Sequence, residues 1–138
     1  MSDPFAPELA TQRREARERA IELVYEAEMK QVEVGAIIAE ATLTPEALAV
    51  ELALGISEHV EELDEELAGL LHEGWSLGRL GTLDRLVLRL GLYELRYRPQ
   101  VPHAVVIDEA IELAKKYGAT DESGGFVNGV LGTAAREG

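Results

Sequence analysis

Three arginines near the start of the chain, Arg13, Arg14 and Arg17 of "QRREAR", are spaced to act together. On a helix, at about 100° per residue, they share one arc of roughly 100°, so three cations can converge on one polyanion. Arg19 points elsewhere. With Thr11 as capping residue, Arg13 and Arg14 fall in the first turn, where exposed cations oppose the helix dipole by about 0.3–1 kcal/mol each. Helix stability would favour acids there. The arginines therefore suggest a polyanion, with a solvated helix start and local glutamate pairs as the structural alternative.

A second candidate is "SGGFVNGVLG", residues 123–132. Phe126, Val127, Val130 and Leu131 have helical spacing, yet glycines surround them. Each interior glycine costs a helix about 1 kcal/mol relative to alanine. An aromatic with so little side chain around it offers a face on which an unpaired base can stack beside exposed amides. The structural alternative is a C-terminal helix that packs closely through its glycines, with Phe126 as a core anchor.

The chemistry of catalysis is missing. His59, His72 and His103 have no histidine partner at i,i+3 or i,i+4, so helical metal spacing is lacking. There is no HExxH and no GxxxxGK[ST] phosphate loop. Ser57, Ser76 and Ser123 lack a nucleophile-elbow sequence. With no cysteine, thiolate chemistry and disulfides are excluded. The abundant carboxylates lie on helical faces and read as solvated surface.

The elements that must position these residues are all helical. Residues 1–10, with Pro4 and Pro7, read as a disordered lead-in. A helix from Thr11 to about Lys30 carries a core face of Ala16, Ala20, Leu23, Val24 and Ala27. A short helix follows near 33–41. Thr44-Pro45-Glu46 is a strong helix start, predicting one helix to about residue 73 with a stripe from Leu48 to Leu70. "HEGWSLGRLGT" breaks the chain, with Trp75 expected to plug the junction. A helix capped by Thr82 and ending near Tyr97 is apolar nearly all round, as a central buried helix would be. "HAVVIDEAIELAKKYG" has early acids, late lysines and a terminal glycine. The last helix spans about 123–135. No segment alternates with period two. The expectation is all-α: six or seven helices in two small halves joined near Gly74–Gly81, forming one domain over residues 11–138.

The net charge is −13, which argues against non-specific nucleic-acid binding. The excess is localised. Residues 20–74 hold fourteen acids and one cation, Lys30, while the segments on either side are neutral. One protein can thus offer an acidic surface to one partner and a locally basic one to another. The N-terminus lacks the apolar stretch of a signal peptide, and no apolar run approaches the ~18 residues of a membrane span. A cytoplasmic protein is expected.

"RREARERAIELVYE", "LDRLVLRLGLYEL", "VPHAVVIDEAIELAKKYG" and "SGGFVNGVLG", in this order, resemble the NusB family of bacterial transcription antitermination factors. The resemblance covers almost the whole chain and is weakest over 31–60. It implies an all-helical fold and a non-enzymatic protein without cofactor or metal. It further implies pairing with the NusE-type ribosomal protein and joint binding of the single-stranded boxA element of nascent ribosomal RNA. That complex keeps RNA polymerase elongating past terminators and assists ribosomal RNA maturation. Carried over by residue, the family's RNA contacts fall on Arg13, Arg14, Arg17, His72, Phe126 and Asn128. The contacts to the ribosomal protein fall on Tyr25 and Asp84. Many relatives carry a cation where this chain has Glu15 and Gly125. That difference keeps a second reading in view: an acidic, homodimeric interaction module with little RNA binding of its own. A NusB-like domain also precedes the catalytic domain of ribosomal RNA cytosine methyltransferases; this chain is expected to lack that enzyme's cofactor-binding domain.

Overall fold

The computed structural model describes residues 7–138, with side chains from Leu9 onward. Among the described residues there are seven α-helices and one 3₁₀ turn. They divide into two compact units, one ending at Ser57 and one comprising Glu58–Gly138. The division therefore lies well before the expected Gly74–Gly81 junction.

The first unit contains α1 (Pro7–Lys30), α2 (Val34–Glu40) and all but the last residue of α3 (Ala47–Glu58). Because α1 starts at Pro7, Thr11 lies inside the helix and does not cap it. Pro7 suits the opening position, where a missing N–H costs nothing. Residues 7–10 of the expected lead-in are thus helical, and residues 1–6 lie outside the described residues. Helix α1 buries Ala16, Ala20, Ile21, Leu23, Val24 and Ala27, matching the apolar stripe. It ends in a Schellman turn: Val32 N–H reaches Ala27 O at 3.0 Å and Gln31 N–H reaches Glu28 O at 3.2 Å. Gln31 takes the left-handed position, φ 56°, where glycine is usual.

The expected helix over 44–73 is two helices. His59 (φ −112°, ψ 15°) separates α3 from α4 (Val60–Leu70). Its ring stacks on Tyr97 with centroids 4.1 Å apart, and its Nδ1 lies 3.1 Å from Glu62 Oε1. The apolar stripe runs through this point because Leu52, Ile56, Leu63 and Leu67 are buried on both sides of it. Periodicity alone does not see the break.

In the second unit α4 is followed by the 3₁₀ turn (Leu77–Arg79), α5 (Thr82–Tyr97), α6 (His103–Tyr117) and α7 (Ser123–Glu137). Helix α5 is the axis, touching α4, α6 and α7. Leu86, Val87, Leu88, Leu90 and Leu92 are at most 2% exposed. Each such side chain stabilises by about 1.5–3 kcal/mol relative to exposure. Helix α5 meets α7 at Gly91, where an added Cβ would lie 2.4 Å from Leu131 Cδ1. Gly81, not Thr82, is the residue before the helix.

Polar staples fasten α4 to α5. Arg89 donates to both carboxylate oxygens of Asp64, each at 2.7 Å. Arg96 forks onto Glu66 and also donates to the Ala134 carbonyl of α7 at 2.8 Å. Tyr97 OH donates to Glu62 Oε2 at 2.6 Å. Three α4 acids that read as solvated surface are therefore structural partners of α5. No helix among the described residues is long and apolar enough to cross a membrane.

Candidate functional site

Phe126 is the fourth residue of α7 and is half-buried. Two adjoining clefts of the second unit share it. One, about 390 Å³, lies among Leu70, Leu71, His72, Gly125, Phe126, Gly129, Val130, Thr133 and Arg136. The other, about 440 Å³, is lined by His72, Trp75, Arg79, Asp84, Ala119, Thr120, Glu122, Ser123 and Phe126 among others. His72 belongs to both and is exposed. The fold thus brings together two predicted site residues that lie more than fifty positions apart.

The glycines of α7 divide their labour. A Cβ on Gly124 would touch Ile111 and Lys115 of α6 at 3.5 Å, so this glycine serves close packing. At Gly125 and Gly129 a Cβ would meet nothing within 4 Å, and both face the first cleft. Their missing side chains leave one wall of the cleft bare beside the ring. Close packing thus holds at Gly124, while Gly125 and Gly129 leave the helix surface open.

Asn128 lies elsewhere. Two residues along a helix are turned by about 200°, so Asn128 faces away from Phe126. It is exposed and lines neither cleft. Adjacency in sequence does not make it a neighbour of the ring.

On the first unit, Arg13 and Arg14 are exposed. With α1 beginning at Pro7, they sit near the end of the second turn, beyond the reach of the dipole penalty. Arg17 is 4% exposed. Although its angle lies within the expected arc, it is one turn further in and is covered. The three-arginine surface is reduced to two, because a buried guanidinium cannot reach a phosphate. Arg19 pairs with Glu22 at 3.3 Å.

Of the two expected partner contacts, Tyr25 is 38% exposed on α1, as an interface residue can be. Asp84 is 8% exposed. Its Oδ2 accepts the Ala119 N–H at 3.5 Å, and Oδ1 has no hydrogen-bond partner among the described residues. Asp84 therefore ties the α6–α7 loop to α5 and is not a surface contact.

The sequence reading passed over Trp75, Arg79 and Arg136. Trp75 was expected to plug a junction, yet it is 58% exposed. Arg79 lines the second cleft and donates to Gly74 O at 3.0 Å. Arg136 lines the first and donates to Thr133 Oγ1 at 3.1 Å. The signal that could have found Trp75 is its place after Gly74 in a turn, where apolar cover is scarce. Among the described residues no group of three or more His, Asp or Glu could hold a metal ion.

The NusB family model matches residues 14–136. The transcription antitermination protein NusB of Beutenbergia cavernae is 41% identical, covering 90% of this chain and 89% of that protein. Among solved structures, T. maritima NusB superposes with a TM-score of 0.81 at 39% identity, over 91% of each chain. A chain from a crystal structure of antitermination factors NusB and NusE in complex with dsRNA gives a TM-score of 0.76 at 29% identity, over 91% of this chain and 97% of that one. The four motifs, the seven helices and these matches agree: the chain belongs to the NusB family.

Proposed function

We propose that this chain is a transcription antitermination factor that binds RNA jointly with the NusE-type ribosomal protein. Its target is the single-stranded boxA element of nascent ribosomal RNA. The pair joins the RNA polymerase antitermination complex in the cytoplasm and supports ribosomal RNA maturation, with no catalytic step and no cofactor. Residues 11–138 serve as one functional domain.

The observation that carries this reading is the meeting of Phe126 and His72 along two clefts that also hold Arg79 and Arg136. A ring stacks on an unpaired base, so ring-lined clefts favour single strands over duplex. A structural neighbour described as NusB and NusE in complex with dsRNA supports RNA and a protein partner together. Arg13 and Arg14 on the first unit contact phosphates; Phe126 and His72 on the second contact bases. Tyr25 belongs to the partner surface. Arg17 and Asp84 act by supporting α1 and the α6–α7 loop, and Asn128 faces a different surface.

The burial of Arg17 and the acidic excess favour dependence on the partner: the chain alone binds RNA weakly, and the pair binds it well. Sedimentation of an equimolar mixture with the ribosomal protein should show a one-to-one complex. Anisotropy of a labelled boxA oligoribonucleotide should show tighter binding by that complex than by either protein. Replacing Arg13 and Arg14 by glutamine should flatten the salt dependence of log affinity by a slope of roughly 1.4, or 0.7 per lost contact. Two unassociated species, with no RNA binding by the mixture, would refute the reading.

A further inference from the structure

The turn between α4 and the 3₁₀ helix places two rings on one cleft. Trp75 N–H donates to His72 O at 3.0 Å, closing a four-residue turn. Gly74 takes φ +90° at its third position, as a type II turn requires, and any other residue would be strained there. The ends of such a turn lie within about 7 Å. His72 and Trp75 therefore stand side by side, and both line the second cleft. Arg79 holds the turn from the next element through its bond to Gly74 O, and it lines the same cleft. The opposite contributor is Phe126 of α7. Trp75 is the chain's one tryptophan, and more than half of its surface is open. Leaving the largest apolar side chain in water costs burial energy that a packing role would have recovered.

We propose that Trp75 is a second stacking platform for single-stranded RNA. The second cleft takes one unpaired nucleotide, its base on Trp75 and a phosphate beside Arg79. That nucleotide neighbours the one stacked on Phe126, since the two clefts share Phe126 and His72. The charges facing the cleft suit this occupant: Arg79 is exposed, whereas Asp84 is buried and turned to the Ala119 N–H, leaving Glu122 as the exposed acid. The assignment rests on the single-stranded RNA reading above and adds a residue and a second base to it.

The test uses the whole chain and a single-stranded boxA oligoribonucleotide, with and without the ribosomal protein. Trp75 emission and RNA anisotropy are read in the same titration. Because there is one tryptophan, emission from the chain alone reports that ring directly. Quenching that saturates together with anisotropy is the expected result. Trp75→Ala should weaken binding roughly 5- to 150-fold, the equivalent of one stacked base. Trp75→Phe should retain most of the affinity, and both variants should melt like the parent. Arg79→Gln should reduce the salt slope by about 0.7. Saturating anisotropy with unchanged emission, and a Trp75→Ala chain that binds like the parent, would overturn the platform while leaving RNA binding intact. Emission in Trp75 that responds to the ribosomal protein and not to RNA would make it a protein contact and also overturn it. No RNA binding under any condition would remove both this inference and the reading beneath it.

Discussion

Phe126 and His72 stand on two adjoining clefts, brought there from α7 and from the turn that follows α4. Phe126 is half-buried, a state between platform and anchor. Phe126→Ala should therefore cost less stability than the 3–5 kcal/mol of a full core truncation, about 1–2.5 kcal/mol. It should also weaken RNA binding by about 1–3 kcal/mol at a temperature where the variant is folded. Thermal melts beside RNA titrations separate the two. A loss of 4 kcal/mol or more in stability with unchanged affinity (on the scale of a core truncation) would make Phe126 a core anchor alone.

Gly125→Lys tests the bare wall. The position has room, since an added Cβ meets nothing within 4 Å. The new cation lies beside Phe126, so affinity for RNA should rise at low salt. The slope of log affinity against log salt should steepen by about 0.7. Equal affinity at every salt concentration would place the RNA path away from this wall.

Gly91→Ala probes the α5–α7 crossing that supports the clefts. The alanine Cβ would collide with Leu131 Cδ1, so α7 must shift or Leu131 must leave its rotamer. Overpacking of this kind costs about 1–3 kcal/mol. Denaturant unfolding should show it as a lower midpoint, whereas an unchanged midpoint would mean that the crossing yields easily.

Gln31→Gly acts in the other direction. Gln31 holds φ 56° at the end of α1, where a side chain costs about 1 kcal/mol that glycine avoids. The Schellman bonds of Val32 and Gln31 use backbone groups and survive the change. A rise in stability of about 0.5–1 kcal/mol is expected from chemical denaturation.

The Tyr97–Glu62–His59 cluster predicts part of the response to pH. The hydrogen bond from Tyr97, then that with His59, holds the Glu62 carboxyl below its ordinary value. Its contribution is complete above the unfolded glutamate pKa of about 4.3 and disappears as pH falls through the lowered value. Glu62 raises the Tyr97 phenol in turn, so the same bond begins to weaken above the unfolded tyrosine value of about 10 and is lost as pH climbs through the raised one. Melting of Tyr97→Phe against the parent should show a difference at neutral pH that shrinks at both extremes. A difference constant from pH 3 to 7 would mean that the bond is not populated.

Much of the fold is local and was legible. Helix α6 is written in its own residues: late lysines, Pro102 before it and Gly118 after it, although its first turn holds no acid, the expected early acids Asp108 and Glu109 being its sixth and seventh residues. The start of α7 at Ser123 and the all-round burial of α5 also follow from composition within one element. The family resemblance lay in residue identity and order, and it survives any error in boundaries. The break at His59 was hidden because the apolar stripe keeps its phase across it; what marks it is a ring stack with Tyr97, 38 residues away.

What the sequence determined by itself is the all-helical class, the apolar faces of the helices and the family. Periodicity is a property of one chain segment, so one segment suffices to read it. What only the tertiary structure decided is which polar and aromatic groups meet solvent. Arg17 and Asp84 are covered, Trp75 is uncovered, and Phe126 meets His72 rather than Asn128. Helical angle sets the direction of a side chain, but its burial depends on which distant residue occupies the space it points into.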